Sequence, residues 1–413
     1  MDVVTPSFSG QLQIQVISVM GYIPVDNATI TILSPENTTN MTVTTDSSGE
    51  TGPLSLPAPN PRYTQAPSET QPYTTYDLQV EAMGYEPFLI TGVAVYADTL
   101  ALQIIRLIPL ETATTREEVV NLPPHTLFGT FPPKIPEEEI KPLPDTGQIV
   151  LSRVVIPEFI IVHDGDPNDA SAPNYWVRYK DYIKNVASCE IFSTWPEATL
   201  YANILAIMSF TLNRVYTEWY RARGFNFTIT SSTAYDQKWN YGQTIYERID
   251  QLVDSVFANY LSRPGVNQPI FTSYCDGRRV TCNGLSQWGS KYLGDEGYSA
   301  IEILRYYFGN DLYINTAETI SGVPSSFPGY DLTIGSTGEK VRTLQPQLNR
   351  IARNFPAIPL LVVDGIYGNA TAEAVRTFQG IFDLPETGVT DYPTWYEISD
   401  IYVGVTRIAE PGQ

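Results

Sequence analysis

Seven prolines and an acidic run between residues 111 and 149 constrain the fold more than any other feature of this chain. The prolines are Pro123, Pro124, Pro132, Pro133, Pro136, Pro142 and Pro144, and the acidic run is Glu137, Glu138 and Glu139. A segment of this composition cannot bury a core of its own, and proline favours extended backbone. The sequence therefore predicts an extended linker over residues 111–149 and a multidomain protein.

The hydrophobic periodicity differs on the two sides of this linker. Residues 1–110 alternate apolar and polar side chains, as in GQLQIQVISV, which predicts short strands and a small β-sandwich. Residues 150–315 mix strand-like and helical runs, which predicts an α+β domain. Its strongest helix has an apolar stripe made of Leu200, Ile204, Met208, Leu212, Val215 and Trp219. Thr194 and Glu197 fit a capping box at the start of that helix.

The C-terminal part of the chain is predicted to form a separate helical module. Residues 316–335 are rich in Gly, Ser and Pro and are predicted to form a second linker. Residues 336–404 contain two amphipathic helices. Their apolar stripes are Val341, Leu344, Leu348 and Ile351 in the first, and Val375, Phe378 and Phe382 in the second.

Charge and composition exclude several classes of function. The formal net charge is -20, so the chain offers no basic surface for nucleic acid or for an anionic membrane. No run of apolar residues is long enough for a membrane span. Only His125 and His163 are present, which argues against a zinc hydrolase with histidine ligands. We expect neither a metal nor a cofactor.

The C-terminal module resembles the small three-helix peptidoglycan-binding family. The motif D-G-x-[FY]-G-x-x-T, followed by a helix that ends near F-Q, carries the resemblance. In this chain it comprises Asp364, Gly365, Tyr367, Gly368, Thr371, Phe378 and Gln379. The resemblance implies that peptidoglycan glycan strands are the partner. Asp364, Tyr367 and Thr371 are candidate binding residues, although turn and cap roles within the fold suit them better.

The central region resembles the stage II sporulation protein D family of lytic transglycosylases. One block, YIKNVASCEIFSTWPEATLYANILAIMSFTLNRV, matches that family's helix, catalytic glutamate, Trp-Pro step and long helix; the glutamate is Glu190. The second block, centred on NGLSQWG, matches its G-x-S-Q-[WY]-G motif. Relatives often carry a histidine before this motif, where the present chain has Thr281, Cys282, Asn283 and Gly284. No role of that histidine is therefore carried over.

The N-terminal region resembles the transthyretin-like sandwich of carboxypeptidase regulatory domains, through PVDNATITI, TTDSSGETGPL and VEAMGYEP. The order of the three regions resembles that of the clostridial spore cortex-lytic enzymes. That resemblance implies a zymogen of the spore cortex or coat region, and a subtilisin-like germination protease that removes the N-terminal part. A cut in the exposed stretch around Gln148, Ile149 and Val150 is expected.

In a lytic transglycosylase, a single glutamate is sufficient for catalysis. Most glycosidases use two carboxylates, but a sugar that supplies its own hydroxyl nucleophile needs one residue as acid and then as base. Glu190 is the candidate for both roles. The alternative is that Glu190 caps a loop or pairs with an arginine. Glu197 is excluded because a helix cap gives it a structural role.

Other residues are candidates for lining the cleft or for structure. Ser286, Gln287 and Trp288 are candidate sugar contacts, with a buried turn as the alternative. Tyr235, Asp236 and Gln237 lie in a polar aromatic loop, and Asp236 or Asp276 is a candidate for stabilising positive charge at the anomeric carbon. Cys275 and Cys282 form either a disulfide or two free buried thiols. A non-catalytic wall-binding scaffold and a cortex hydrolase or amidase are the alternative functions.

Overall fold

The computed structural model describes residues 8–34, 40–110, 117–141 and 153–406. Gln148, Ile149 and Val150, where cleavage is expected, lie outside the described residues. The described chain forms two compact units. Among the described residues, the first unit contains Phe8 and residues 59–72, 123–141 and 153–321, and the second contains the rest. The architecture is α+β, with several separate sheets and eight α-helices in the described residues.

Eight strands make up the N-terminal region: β1 (Phe8–Ser18), β2 (Thr29–Leu33), β3 (Asn40–Thr44), β4 (Leu54–Ala58), β5 (Thr74–Glu81), β6 (Phe88–Val95), β7 (Leu100–Leu107) and β8 (Glu118–Asn121). One sheet has the order β3-β2-β5-β6-β8, and β1 lies between β7 and β4 in another. Strand β6 contacts β4 and β7, so the two sheets pack on each other. Strand β8 lies beyond the expected boundary at residue 110, because it pairs in parallel with β6.

The loop between β4 and β5 belongs to the first unit and contacts the start of the longest helix. It contains a 3₁₀ turn at Pro61–Thr64. Trp195 Nε1 donates a hydrogen bond to the Thr64 carbonyl at 2.8 Å, and Thr194 Oγ1 donates to Thr64 Oγ1 at 2.7 Å. The helix itself begins at Glu197 with Pro196 as its N-cap and no capping side chain. The predicted capping box was therefore wrong, because Thr194 bonds to the loop instead.

The central region contains ten short strands and five helices. The strands are β9 (Val155–Ile156), β10 (Phe159–His163), β11 (Asn174–Arg178), β12 (Ile229–Thr230), β13 (Ile245–Tyr246), β14 (Asn259–Ser262), β15 (Tyr274–Cys275), β16 (Leu285–Ser286), β17 (Tyr313–Thr316) and β18 (Thr319–Ile320). The helices are α1 (Tyr179–Glu190), α2 (Glu197–Tyr216), α3 (Glu247–Val256), α4 (Gln287–Asp295) and α5 (Ala300–Phe308). Helix α2 contacts the other four helices and β14, so it forms the centre of the unit.

Helix α2 is buried on nearly every face, which is typical of a central core helix. The predicted stripe residues Leu200, Ile204, Met208 and Leu212 are all buried. The helix ends at Tyr216, so Trp219 lies beyond it. Arg214 on the same helix is also buried and requires ionic partners inside the protein.

Three helices form the C-terminal region: α6 (Glu339–Ala352), α7 (Asn369–Ile381) and α8 (Tyr392–Thr406). The predicted stripes of the first two helices face a common core, which includes Leu344, Leu348, Phe378 and Trp395. Across the described residues, none of the helices combines the length and apolar character required to cross a bilayer.

Candidate active site around Glu190

Glu190 is the last residue of α1, and its side chain is buried. The helix presents Tyr182, Ile183 and Val186 to the core, which anchors its last turn. The next residue, Ile191, has extended backbone and ends the helix. Only 6% of Glu190 is exposed to solvent. Such a buried carboxyl group requires hydrogen-bonding partners, and the surrounding residues supply them.

Three segments distant in sequence bring hydrogen-bond donors to Glu190. The Lys238 backbone N–H donates to Oε1 at 2.9 Å, and the Tyr274 hydroxyl approaches the same oxygen at 3.5 Å. Gln287 Nε2 donates to Oε2 at 3.1 Å. Burial, followed by the negative charge of Glu190, raises the pKa of Tyr274 well above its ordinary value. The hydroxyl of Tyr274 therefore stays protonated and serves as a donor.

Glu190 lines a cavity together with Asp276 and Gln287, which the sequence also predicts as site residues. The other lining residues are Thr126, Gly129, Thr130, Phe131, Pro132, Lys134, Thr233, Tyr274, Cys275, Arg279 and Val280. The cavity therefore combines a buried carboxyl group with apolar, polar and charged side chains.

Gln287 and its two neighbours have different surroundings. Ser286 Oγ accepts the Gly289 N–H at 2.9 Å and so caps α4. Trp288 is buried against Trp195, with ring centroids 5.1 Å apart. Trp288 is thus a core residue, and the structure does not bring it to the cavity wall as a stacking platform. Gln287 is the member of the predicted triplet that contacts Glu190.

Asp236 and Gln237 lie inside the protein, contrary to the expectation of a glycan-lining loop. Asp236 Oδ1 accepts Arg214 Nε at 2.7 Å, and its Oδ2 accepts the Tyr220 hydroxyl at 2.6 Å. Gln237 Oε1 accepts the hydroxyls of Tyr182 and Thr211. Both side chains have their hydrogen-bonding capacity used by the core. Their burial leaves no face for a sugar.

Tyr235 contributes its backbone to the same network. Its carbonyl accepts Arg214 Nη2 at 3.0 Å, and its side chain is half-buried. The structure therefore does not bring the Tyr235 side chain into the cavity around Glu190.

A disulfide-closed turn forms one edge of the cavity. Cys275 and Cys282 are joined in a disulfide, with their Cα atoms 6.1 Å apart. Inside the turn, the Asp276 carboxylate accepts the backbone N–H groups of Arg278 at 3.1 Å, Arg279 at 2.9 Å and Val280 at 2.8 Å. The carboxylate of Asp276 thus fixes the turn, although the residue also lines the cavity.

Residues 123–141, which we call the strap, also line the cavity. They belong to the segment expected to be a linker, and they lie against the central region, with a turn at residues 125–129. Lys134 and Tyr274 also line the cavity, and neither stands in a sequence motif that marks it as a site residue. In the structure, Glu137, Glu139 and Lys141 are more buried than Glu138 and Ile140, but the residue types along this stretch show no matching alternation.

In the C-terminal region, the three candidate residues serve the local fold. Asp364 Oδ1 accepts Gln345 Nε2 at 2.9 Å and the Ile366 N–H at 2.8 Å. The Tyr367 hydroxyl bonds to the Gly388 carbonyl, and both Tyr367 and Thr371 are buried. These contacts match the turn and cap roles that the sequence favours for them.

Among the described residues, no group of three or more His, Cys, Asp or Glu side chains is arranged to hold a metal ion. The histidines have other contacts. His125 stacks on Phe192 and His163 on Phe227, both with ring centroids 4.5 Å apart.

Comparison with known proteins identifies one domain. Residues 337–398 match the family model of the peptidoglycan binding domain, which supports a cell-wall-associated protein. A search of curated proteins found no match to the chain.

Three solved structures share partial similarity with the chain. The Bacillus anthracis TIE protein is 19% identical over 25% of this chain and 18% of its own, with a TM-score of 0.19. The minor pilin GBS52 of Streptococcus agalactiae is 16% identical over 26% and 48%, also at 0.19. Catechol 1,2-dioxygenase from Acinetobacter is 12% identical over 29% and 60%, at 0.19. The chain spans less than two thirds of each protein, and TM-scores this low do not establish a shared fold.

Proposed function

We propose that this protein is a lytic transglycosylase that cleaves the glycosidic bond between N-acetylmuramic acid and N-acetylglucosamine in peptidoglycan. The observation that carries the proposal is the placement of Glu190, a buried carboxyl group at the wall of a cavity, oriented by donors from three segments. The resemblance of the surrounding sequence to the sporulation protein D family supports the same residue.

Glu190 acts first as an acid and then as a base. The protonated carboxyl group donates its proton to the glycosidic oxygen while the bond from that oxygen to the muramic anomeric carbon breaks. The resulting carboxylate then takes the proton of the muramic C6 hydroxyl, whose oxygen bonds to the anomeric carbon. The products are a free sugar end and a 1,6-anhydromuramic end, no water is consumed, and Glu190 returns to its acid form.

The surroundings of Glu190 are consistent with a mechanism that uses one catalytic carboxyl group. Glu190 and Asp276 are the acidic residues among those lining the cavity. The carboxylate of Asp276 is bonded to three backbone N–H groups of its own turn, so it is poorly placed to act as a nucleophile. A mechanism that takes its nucleophile from the substrate is consistent with this arrangement.

The wider setting is part of the proposal. The peptidoglycan-binding domain would deliver the catalytic region to glycan strands. By resemblance, the protein is a zymogen located in the spore cortex or coat region, and a subtilisin-like protease activates it during germination by removing the N-terminal part. The substrate would then be cortex peptidoglycan.

Digestion of purified peptidoglycan tests the activity. Three proteins are compared by mass spectrometry of the soluble products: the full chain, a version starting at Val150, and that version with Glu190→Gln. Circular dichroism confirms that the shortened proteins are folded. Anhydro-muropeptides from the Val150 version alone are the expected result.

Other products would identify the alternative functions. Reducing sugar ends would indicate a hydrolase, and free stem peptides an amidase. A folded protein that binds peptidoglycan and releases nothing would indicate a scaffold. Activity that survives Glu190→Gln would exclude Glu190 as the proton donor.

A further inference from the structure

We infer that the strap is a built-in competitor for the Glu190 cavity, and that cutting the chain after the strap does not open the site until the strap dissociates. Lys134 is the contact of the strap at the site. Glu137 and Glu139 form ion pairs that hold the strap in place, and we call them its ionic anchors. This inference rests on the proposed function in that it treats Glu190 as the catalytic acid.

The strap forms one wall of the cavity. Six of the residues that line it belong to the strap: Thr126, Gly129, Thr130, Phe131, Pro132 and Lys134. A glycan strand that reached Glu190 through this cavity would contact the strap. Substrate and strap therefore compete for the same space.

Lys134 extends into the site between aromatic rings. Its ammonium group lies 5.0 Å from the ring centroid of Tyr274 and 4.9 Å from that of Phe210, and it donates a hydrogen bond to the Asp236 carbonyl. Burial lowers the pKa of Lys134, while the negative charges of Glu190 and Asp236 oppose that shift. Lys134 therefore ties the strap to the cavity wall that also carries Glu190 and Tyr274.

The first ionic anchor joins the strap to the centre of the protein. The Glu137 carboxylate accepts two hydrogen bonds from Arg214, at 2.8 Å and 2.6 Å, and the Arg214 side chain is fully buried. Burial by itself raises the pKa of Glu137, but the bonds from Arg214 and Lys141 outweigh burial and hold that pKa below its ordinary value. If the strap leaves, Arg214 loses one of its two carboxylate partners in a buried site.

The second ionic anchor lies two residues further along. The Glu139 carboxylate accepts two hydrogen bonds from Arg263, at 2.7 Å and 2.8 Å. The intervening residue, Glu138, is exposed. The backbone of this stretch is also bound, since the Glu139 carbonyl accepts the Phe271 N–H at 2.9 Å.

The N-terminal half of the strap is attached beside Glu190 itself. The Thr126 hydroxyl donates to the Cys189 carbonyl at 2.9 Å, and Arg279 donates to the carbonyls of Phe128 and Gly129. The strap is attached on both sides of Lys134 in sequence. Its dissociation is therefore a separate, slower step than cleavage of the chain. A cut near Gln148 would break none of these bonds.

The test uses the full chain with a recognition site for a sequence-specific protease in place of Gln148, Ile149 and Val150. Amide hydrogen exchange of the strap is measured before and after cutting, together with release of anhydro-muropeptides. Glu137→Gln and Glu139→Gln weaken the two anchors, and Glu138→Gln is the matched control. Glu139→Gln is the safer variant for folding, since Arg263 is partly exposed.

We expect the strap of the cut protein to remain protected, and muropeptide release to lag behind cutting. In the cut Glu137→Gln protein, strap exchange should be at least about 100-fold faster, because a buried ion pair is broken. In the cut Glu139→Gln protein it should be about tenfold faster, because that ion pair is partly exposed, and in both variants the lag between cutting and release should shorten. Glu138→Gln should behave like the parent. Immediate loss of protection after cutting the parent protein, or equal exchange in all three variants, would overturn the inference.

Lys134→Met tests the contact at the site, because it keeps the length of the side chain and removes its charge. After cutting, the Lys134→Met chain should show a lag before muropeptide release at least about tenfold shorter than that of the cut parent, since the contacts of the ammonium group with Tyr274, Phe210 and the Asp236 carbonyl are lost. Release equal to that of the parent would show that Lys134 is not the inhibiting contact. Exchange of the strap is independent of activity, so an inactive Val150 version, together with a strap that stays protected in the cut full chain, would refute the proposed function alone.

Discussion

Gln287 holds Glu190 at two points with one nitrogen. Its Nε2 donates to the backbone carbonyl of Glu190 at 3.0 Å and to the carboxylate Oε2 at 3.1 Å. The backbone carbonyl is one of those left without a partner at the end of α1. The same side chain therefore completes the helix end and restricts the rotation of the carboxyl group, which couples the fold to the proposed chemistry.

Replacing Gln287 with leucine should lower kcat about tenfold to hundredfold and leave KM nearly unchanged, because the carboxyl group loses its orientation. The rates are measured on soluble glycan fragments with the Val150 version. Ser286→Ala is the control. It removes the cap of α4, at a cost of about 1 kcal/mol in stability, without touching Glu190. Equal losses of kcat in both variants would indicate a general folding effect.

The disulfide should stabilise the unit that contains Glu190. It closes a short loop with a sequence separation of 7, and the chain-entropy model gives about 2–3 kcal/mol for a loop of this size. The double variant Cys275→Ser, Cys282→Ser should show this loss in urea unfolding. Reductant should lower the stability of the parent and leave the double variant unchanged, since Cys189 is buried and not in a disulfide. A parent insensitive to reductant would contradict the assignment.

Glu50 should make the second unit less stable in alkaline solution. Burial, reinforced by the carboxylates of Asp383 and Asp46, raises the pKa of Glu50 from 4.5 to about 8. Because the pKa is higher in the folded state, this contribution to stability is complete below the unfolded value and is lost as the pH rises through 8. We expect a fall of about 2 kcal/mol in the free energy of unfolding, allowing for partial solvent screening.

Chemical unfolding followed across this pH window measures the effect, with Glu50→Gln and Glu81→Gln compared with the parent. The glutamine cannot ionise, so Glu50→Gln should flatten the decline. Glu81 is exposed at the end of β5, and Glu81→Gln should retain it. An undiminished decline in Glu50→Gln would assign the pH dependence to other groups.

Local patterns predicted well those features that depend on local interactions. The stripe on α2 and the helices of the C-terminal module follow from periodicity, because burial of one helix face leaves a mark at every third or fourth residue. The resemblance of the surrounding block to a known family predicts Glu190. The partners of Glu190 come from residues 48, 84 and 97 positions away, and no local pattern records such distances.

The strap and Asp236 show where composition is misleading. Prolines and acidic residues indicated a linker, but Glu137 and Glu139 have arginine partners that lie 77 and 124 residues away in sequence. Asp236 stands in a polar loop, and its carboxylate nonetheless turns inward to a buried arginine. In each case the local sequence does not indicate a buried ion pair, because the arginine partner is supplied by tertiary structure.

Replacing Asp236 with asparagine separates a structural role from a catalytic one. The change leaves the buried guanidinium of Arg214 without one of its carboxylate partners, so stability should fall by about 3 kcal/mol. Muropeptide release per folded molecule should remain within about twofold of the parent, since Asp236 does not line the cavity. Urea unfolding and product analysis on the same samples measure both quantities. Asp181→Asn, in the first turn of α1, is the control and should change neither. A large loss of activity with unchanged stability would instead place Asp236 in the reaction.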